Sequence, residues 1–256
     1  MRKIIALFIG FTVVTASFAQ DMTQQEANEL FEQANENYRE GSYVLAQQSY
    51  QKIEDAGWIS AELYFNIGNS FYQQNALAPS IYYYHKSLKF NPNQPAVQSN
   101  LERANLGTID AINALPLTAM QKWDKTYLKA LSPEKWASVA IGISVLFGGF
   151  FLLFHFAIQP SKRRLYFVAS FVSGFCLILA LLITYKELRD EEQDRGAIVF
   201  AQSVEVTNAP SSNAQVDFTI HEGTQVQVLD QVDRWRKIRI ADGSVGWLLM
   251  ESIKEY

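Results

Sequence analysis

Two long apolar runs joined by a short basic segment constrain the fold of this chain more than any other feature. Residues 136–158 and 165–185 contain no charged side chain, and each is long enough for a helix to cross the hydrocarbon core of a bilayer. Residues 159–164 between them are so few that the second helix must return beside the first. Because short loops with several Lys and Arg residues stay in the cytoplasm, the sequence predicts a transmembrane hairpin with a cytoplasmic turn.

Small residues recur every four positions within both runs. They are Ala140, Ser144 and Gly148 in the first run, and Ser170 and Gly174 in the second. Small side chains at this spacing let two membrane helices approach closely. We therefore expect close helix contact along these residues, either within the hairpin or with another membrane protein.

Residues 1–19 have the pattern of a secretory signal peptide. Two basic residues precede an apolar core at 4–14, and Ser17-Phe18-Ala19 fits a small-x-small cleavage site. An uncleaved membrane anchor is the alternative. Export followed by a hairpin would leave the parts before and after the two spans on the outer side of the membrane. Four lysines between 122 and 135 do not favour this orientation, but charges in a short turn weigh more.

Residues 22–107 repeat with a period of 34. The shift superimposes like on like: Phe31 on Phe65, Asn35 on Asn69, Tyr38 on Tyr72, and Tyr50 on Tyr84. A period of this length predicts two helix–turn–helix units, followed here by a fifth helix at 95–106. The units resemble tetratricopeptide repeats in period and in their small and aromatic positions.

Tetratricopeptide repeats bind extended or helical peptides in a concave groove lined by the first helix of each unit. The resemblance implies that the groove residues here are Asn28, Phe31, Asn35, Tyr38, Arg39, Glu62, Phe65, Asn69, Tyr72, Gln73 and Arg103. Paired Asn side chains can hold a peptide backbone through a donor and an acceptor together. The alternative is that the repeats merely stack, with both Phe residues packed as core.

Two segments are interpreted as connections. Residues 108–135 place apolar side chains at helical spacing among four lysines, which predicts an amphipathic linker helix, either lying in the headgroup layer of the membrane or solvated. Residues 186–195 carry five acids and three bases, which is typical of a solvated charged spacer. A calcium site among these acids is the alternative, but their spacing lacks the order of a loop site.

Residues 196–256 change to short β-rich runs separated by turn residues. The predicted strands are 197–200, 204–207, 216–220, 225–229, 235–240 and 245–249, which suit a five- or six-stranded barrel. The runs Val204-x-Val206-x-Asn208-Ala209-Pro210 and Gly243-x-Val245-Gly246-Trp247 resemble bacterial SH3 domains. Such domains often bind peptidoglycan or peptides through exposed aromatic residues, which makes Trp235 and Trp247 ligand candidates. The alternative is that both belong to the core of the barrel.

The remaining composition excludes several classes of function. Residues 20–107 carry 5 basic and 10 acidic side chains, and residues 196–256 carry 5 and 8. This mild acidic excess argues against nucleic acid or an anionic lipid surface as the main ligand of either region. The single cysteine, Cys176, lies in the second apolar run, so neither a disulfide nor a cysteine-based metal site is expected. His85, His155 and His221 belong to three different predicted elements, and no phosphate loop or catalytic motif is present. We therefore predict no catalytic residue, no cofactor and no metal site, and a protein that is not an enzyme.

The order of the parts resembles the BatE family, membrane proteins of the aerotolerance (Bat) operon in Gram-negative bacteria. The resemblance implies a multidomain membrane protein with an α-solenoid of tetratricopeptide repeats, a two-helix hairpin and a small all-β SH3-like barrel. It also implies the cytoplasmic (inner) membrane, with both soluble domains periplasmic. Implied partners are other Bat-type membrane proteins, some with von Willebrand factor A domains, which predicts a scaffold. A peptidoglycan-binding or sensing protein that acts through the SH3 domain is the alternative.

Overall fold

The structure, a computed structural model, describes residues 22–110, 112, 115–193 and 195–256. The predicted signal peptide at 1–19 lies outside the described residues. The described chain consists of a helical region, two long apolar helices and a sheet, in that order.

Five helices form the N-terminal region. They are α1 (Gln24–Arg39), α2 (Tyr43–Asp55), α3 (Ala61–Gln73), α4 (Leu77–Phe90) and α5 (Pro95–Leu106). Thr23 begins α1 with a capping box, because its hydroxyl accepts from the Glu26 N–H and its own N–H donates to the Glu26 carboxylate. Asn75 turns the chain between α3 and α4 with a φ of 58°, a conformation that Asn tolerates better than most residues. The helix boundaries therefore follow local chemistry.

Small residues let paired helices of this region approach closely. Ala34, Ala46 and Ser80 are fully buried. A Cβ added to Gly68 would lie 2.7 Å from the ring of Tyr84, so only glycine allows α3 and α4 to pack at this separation.

The predicted linker helix at 108–135 is not one helix. Residues 115–118 have no regular structure, α6 (Ala119–Trp123) is short, and a π-helical turn follows at Asp124–Leu128. The Leu115 N–H donates to the carbonyl of Ala241 at 3.1 Å. Leu115 is thus held against the sheet, which competes with helix formation at this point of the linker.

The prediction of two long apolar helices is confirmed. They are α7 (Pro133–Phe156, 24 residues) and α8 (Pro160–Gln193, 34 residues), and both are long and apolar enough to cross a membrane. Their outer surfaces are apolar and exposed, as at Val145 (70%) and Phe171 (70%). A surface of this kind is costly in water and suits lipid.

Helix α8 is longer than the sequence predicted, at both ends. It begins at Pro160, so the basic residues assigned to the cytoplasmic turn lie in its first turns. It continues past Tyr185, so the predicted charged spacer at 186–195 is mostly helical. Alternating acids and bases favour a helix through pairs four residues apart, such as Lys186 with Asp190 at 2.9 Å. Strand β1 begins at Arg195, two residues after α8 ends.

Only part of the predicted small-residue stripe lies between α7 and α8. Ala140 and Ser170 are buried, and Gly174 faces the ring of Phe147. Ser144 is exposed, and no heavy atom lies within 4 Å of where a Cβ on Gly148 would be. The four-residue spacing drifts around a helix of 3.6 residues per turn, so a long stripe cannot stay in one contact.

The C-terminal region is one antiparallel sheet of seven strands. They are β1 (Arg195–Val199), β2 (Ser203–Thr207), β3 (Val216–His221), β4 (Gln225–Val232), β5 (Trp235–Arg239), β6 (Val245–Leu249) and β7 (Ile253–Glu255). The order across the sheet is β3-β2-β6-β5-β4-β1-β7. Six strands agree with the predicted runs, and β7 is the one that the sequence analysis missed. Three residues are too few to show alternation, and β7 forms because it pairs with β1.

The helical region and the sheet pack directly on each other. Ile198 on β1 is fully buried in the same core as the helices. The rings of Phe200 and Tyr256 lie 5.8 and 6.3 Å from the ring of Tyr82 on α4, and Tyr256 stacks on His85 at 4.6 Å. This junction places the repeats and the sheet side by side.

Candidate functional site

The 34-residue period of the sequence is also a period of hydrogen bonds. The Tyr50 hydroxyl donates to Asn35 Oδ1 at 2.6 Å, and Asn66 Nδ2 donates to the same oxygen at 3.3 Å. One period later, the Tyr84 hydroxyl and Asn100 Nδ2 both donate to Asn69 Oδ1, each at 2.8 Å. Each asparagine thus ties its own helix to the second helix of its unit and to the first helix of the next.

This ladder changes the role predicted for Asn35 and Asn69. Their side-chain carbonyls already accept two hydrogen bonds each, which fills the acceptor capacity of an amide oxygen. They therefore cannot offer a peptide the donor and acceptor together. Burial raises the pKa of Tyr50 and of Tyr84 to about 12, so these phenols remain donors throughout the neutral range.

The two predicted groove phenylalanines are partly core residues. Phe31 lies 5.5 Å from the ring of Tyr50, and Phe65 lies 6.0 Å from the ring of Tyr84. Both are half-buried against the helical core. Each therefore supports the stacking of the helices and still presents one side to solvent.

The other predicted groove residues are spread along the face. Tyr38 packs edge-on against Tyr43 at 5.2 Å, and Tyr72 is half-buried. Arg39 forms an ion pair with Glu36 on its own helix, so its charge is partly neutralised. The residues that are simply exposed are Asn28, Glu62, Gln73 and Arg103.

Three predicted groove residues meet at one cavity. Asn28, Phe31 and Glu62 line a cavity of about 210 Å³ between α1, the end of α2 and the start of α3. We name it the α1–α3 cavity. The sequence analysis missed its other prominent walls, Trp58 and Ile59. The sequence does carry an indication of this wall. Two apolar residues stand directly before the helix cap Ser60, in a turn that is normally polar.

The geometry of Trp58 holds this cavity open. Its indole N–H donates to the carbonyl of Met22 at 3.0 Å, which ties the α2–α3 turn to the start of α1. Ile59 beside it remains 54% exposed. The cavity therefore has an apolar wall that faces solvent and is fixed in place.

The surroundings of the α1–α3 cavity are acidic. Glu62 lies on its rim, and α1 carries the exposed acids Glu29 and Glu32 besides Glu36, which pairs with Arg39. Arg39 is the only basic residue of α1, and it is paired with Glu36. An acidic face of this kind attracts a ligand with positive charge.

The sheet has a cleft of its own beside Trp235. A cavity of about 340 Å³, which we name the sheet cleft, is lined by strands β2, β5 and β6 and by the loop after β2. Its lining residues are Ser203, Val204, Glu205, Thr207, Ser211, Ser212, Arg234, Trp235, Leu249 and Ser252. An aromatic wall among hydroxyls and two opposite charges can hold a sugar or a peptide by stacking and hydrogen bonds.

Trp247 lies elsewhere on the sheet. It is opposite Lys237 in the β5–β6 register, and the Lys237 ammonium lies 5.9 Å from its ring centroid. Neither Trp235 nor Trp247 belongs to the buried core of the sheet, and both are half-buried. The core alternative is therefore wrong for both, and only Trp235 lines the sheet cleft.

A group of three acids lies where the linker meets α8. Oxygens of Asp124, Glu187 and Asp190 lie within 4.8 Å of one another, close enough to hold a metal ion. The Lys186 ammonium lies 2.7, 3.0 and 2.9 Å from these three carboxylates. The lysine thus occupies the position between the three carboxylates and balances one of their three negative charges. Glu187 is only 5% exposed, which a solvated spacer would not require.

A polar contact fastens the linker to the sheet. Asp110 accepts from the His221 N–H and from the Thr224 hydroxyl, each at 2.6 Å, and its other oxygen lies 2.7 Å from His221 Nδ1. Burial opposes the charge of Asp110, but the hydrogen bonds from Thr224 and His221 outweigh it and hold the pKa below its usual value. The carboxylate therefore stays ionised and keeps the linker on the sheet.

Most of this sheet belongs to a known domain family. Residues 201–254 match the bacterial SH3 domain. The match covers strands β2 to β6 and most of β7. A comparison with curated proteins finds no match. The presence of a bacterial SH3 domain, expected from the sequence, is confirmed.

The SH3 domain gives the sheet cleft a functional context. Bacterial SH3 domains suggest binding to proteins or to the cell wall, and the cleft beside Trp235 lies entirely within the matched residues. Strand β1 precedes the match and connects the SH3 domain to α8. It is also the strand that packs on the repeats through Ile198.

Proposed function

We propose that this chain is a non-enzymatic membrane scaffold that presents its helical repeats and its SH3 domain for protein–protein interaction. In this role it belongs to an envelope complex of the Bat type, linked to aerotolerance or stress. Its hairpin spans the cytoplasmic membrane of a Gram-negative bacterium, and both binding modules face the periplasm. The partners are other Bat-type membrane proteins, including those with von Willebrand factor A domains.

The observation that carries this function is the position of both modules at one end of the hairpin. Helix α8 passes into β1 within two residues, so the SH3 domain cannot move far from the end of that helix. The α7 end is tied to the same place, because Asp124 in the preceding turn pairs with Lys186 on α8. The repeats are joined to the SH3 domain through Tyr256 and His85. A scaffold needs this fixed relation between its binding surfaces.

The α1–α3 cavity is the site where we expect the partner to bind. Its apolar wall at Phe31, Trp58 and Ile59 suits an aliphatic or aromatic side chain, and its acidic rim suits an adjacent Lys or Arg. The ligand is then a peptide segment with an apolar residue beside a basic one. Asn35 and Asn69 stabilise the groove and do not contact the peptide through their carbonyls.

Site-specific photocrosslinking in living cells tests this role. A photoreactive amino acid at Asn28 lies on the α1–α3 cavity, and one at the exposed Gln48 of α2 is the matched control. We expect the first position to capture a Bat-type membrane protein at its natural abundance and the second to capture none. Identical products from both positions, or no product at Asn28, would count against the scaffold.

Protease digestion of spheroplasts tests the orientation independently. With both modules in the periplasm, an added protease should cut in the repeats and in the SH3 domain and leave the hairpin intact. Digestion of one module while the other is spared would contradict the hairpin topology.

Cell-wall binding through the SH3 domain is the second candidate function. The sheet cleft favours it, because Trp235 lies among serine hydroxyls with Arg234 and Glu205 at hand. Full-length protein in detergent should co-sediment with peptidoglycan sacculi, and Trp235→Ala should abolish this while Trp247→Ala retains it. Equal behaviour of the two variants would rule out the cleft as the wall-binding site.

A further inference from the structure

The linker has an apolar and aromatic surface that no other described part of the chain covers. We name it the interfacial patch. Its members and their exposed fractions are Leu117 (43%), Met120 (74%), Trp123 (48%) and Tyr127 (62%). The rings of Trp123 and Tyr127 lie 5.9 Å apart, so the two aromatic residues form one continuous surface. Exposed side chains of this size in a contiguous group indicate a binding surface.

The structure fixes the height of this patch relative to the two spans. Asp124, between its two aromatic residues, pairs with Lys186 at 2.7 Å, and Lys186 directly follows Tyr185, the last residue of the uncharged apolar run of α8. On the other side, the Trp136 indole N–H donates to the carbonyl of Leu128 at 2.9 Å. The patch is therefore level with the outer ends of the two apolar runs, at Trp136 on α7 and Tyr185 on α8, which is where hydrocarbon would give way to headgroups in a bilayer.

The exposed charges that flank the patch in the linker are basic. Lys122 and Lys129 are exposed on either side of it, and the carboxylate of Asp124 pairs with Lys186, which it shares with Glu187 and Asp190. Tyr185 on α8 is also exposed (61%), with the Arg189 guanidinium 5.7 Å from its ring centroid. Trp, Tyr and Lys together are the residues that membrane interfaces favour.

We propose that the interfacial patch inserts into the headgroup layer of the leaflet that surrounds the outer ends of α7 and α8. Lys122 and Lys129 bind anionic headgroups there, as interfacial segments do. This inference rests on the proposed function, in which the hairpin spans a bilayer. It adds a third contact to the two spans, and it holds the linker, and the SH3 domain fastened to it through Asp110, at a set height above the membrane.

Spin-label depth measurements on full-length protein in vesicles test the inference. The vesicles contain phosphatidylcholine with phosphatidylglycerol as a minor anionic component. In a Cys176→Ser background, single labels are placed at Met120→Cys in the patch, at Val44→Cys on α2, and at Leu179→Cys within α8. The last two positions are exposed apolar residues, one remote from the hairpin and one within a span. Collisions with oxygen report lipid, and collisions with a neutral nickel chelate report water.

The three labels separate the possible outcomes. We expect the label at 120 to collide several-fold less with nickel than the label at 44, and the label at 179 to collide least. Equal nickel accessibility at 120 and 44, with 179 protected, would overturn the interfacial patch and leave the hairpin in place. Nickel access at 179 would overturn the hairpin itself.

The lysines are tested in the same experiment. Lys122→Gln with Lys129→Gln should raise nickel access at position 120 in vesicles that contain phosphatidylglycerol and leave it unchanged in pure phosphatidylcholine. An identical effect in both lipids, or no effect in either, would overturn the role of anionic headgroups.

Discussion

Replacement of Asn69 by alanine tests whether the amide ladder is structural. Asn69 Oδ1 accepts from the Tyr84 hydroxyl and from Asn100 Nδ2, both at 2.8 Å, and Tyr84 is 0% exposed. A buried hydroxyl that loses its acceptor costs about 1–3 kcal/mol, and the second hydrogen bond adds about 0.5–1.5 kcal/mol. Alanine returns roughly 0.6 kcal/mol through its higher helix propensity. We therefore expect a net loss of about 1–4 kcal/mol.

Hydrogen exchange of the full-length protein in nanodiscs measures this loss where it occurs. The amides of α3 and α4 should exchange faster in Asn69→Ala, by roughly fivefold to several-hundredfold for a loss of this size. The matched variant Asn35→Ala removes the acceptor of the Tyr50 hydroxyl and should act on α1 and α2 in the same way.

Gln73→Ala is the control, because Gln73 lies one turn later on the same helix and is exposed. Its effect should stay within about 0.5 kcal/mol. The reasoning is refuted if Asn69→Ala exchanges no faster than Gln73→Ala. A variant that loses partner binding with unchanged exchange would instead make Asn69 a ligand contact.

Three further changes test the junction and the buried phenols. Burial lowers the pKa of His85 from 6.5 to about 4. The stability that the neutral ring contributes is therefore complete above pH 6.5 and is lost as the pH falls towards 4. The loss is on the order of 3 kcal/mol. The exchange of β1 amides should follow this loss, and His85→Phe, which keeps a ring for stacking, should flatten it. In a pH titration followed by tyrosinate absorbance, one step should occur near pH 12, because burial raises the pKa of Tyr84 to about 12. Tyr84→Phe should make this step smaller. Ionisation of every tyrosine near pH 10 would contradict the burial. Gly196→Ala should lower the stability measured in thermal unfolding by about 1–3 kcal/mol, because the added Cβ would overlap the ring of Tyr256. Gly142→Ala is the control and should cost nothing, because no heavy atom lies within 4 Å of the added Cβ. Equal loss of stability in the two variants would be inconsistent with the packing described.

The junction between the repeats and the SH3 domain has a consequence for function. Because Tyr256 stacks on His85 and Phe200 contacts Tyr82, part of this face of α4 is covered. Beside these contacts, His85 and Leu88 line a cavity of about 540 Å³ together with residues of the sheet. The α1–α3 cavity and the sheet cleft remain open on other faces. Two partners could therefore bind at once, which is what a scaffold requires.

Local patterns in the sequence determined the elements of this protein. The apolar runs predicted two long helices, the 34-residue period predicted paired helices, and alternation with turn residues predicted six of the seven strands. Helices and strands could be predicted in this way because they depend on residues near one another in the chain. The spacing of apolar residues, the capping residues and the turn residues are all local features. The helical continuation of α8 past Tyr185 was missed because its charges resemble those of a solvated segment.

The tertiary structure decided which side chains are free to act. The repeated asparagines look like ligand groups in the sequence, yet contacts 15 and 31 residues away occupy Asn35 and Asn69. Trp58 and Trp235 acquire their cavities from segments that are distant in the chain. Neither the packing of the repeats on the SH3 domain nor the pairing of Asp124 with Lys186 produces a repeating pattern in the sequence. Long-range contacts of this kind depend on the shape of whole surfaces, which local sequence does not encode.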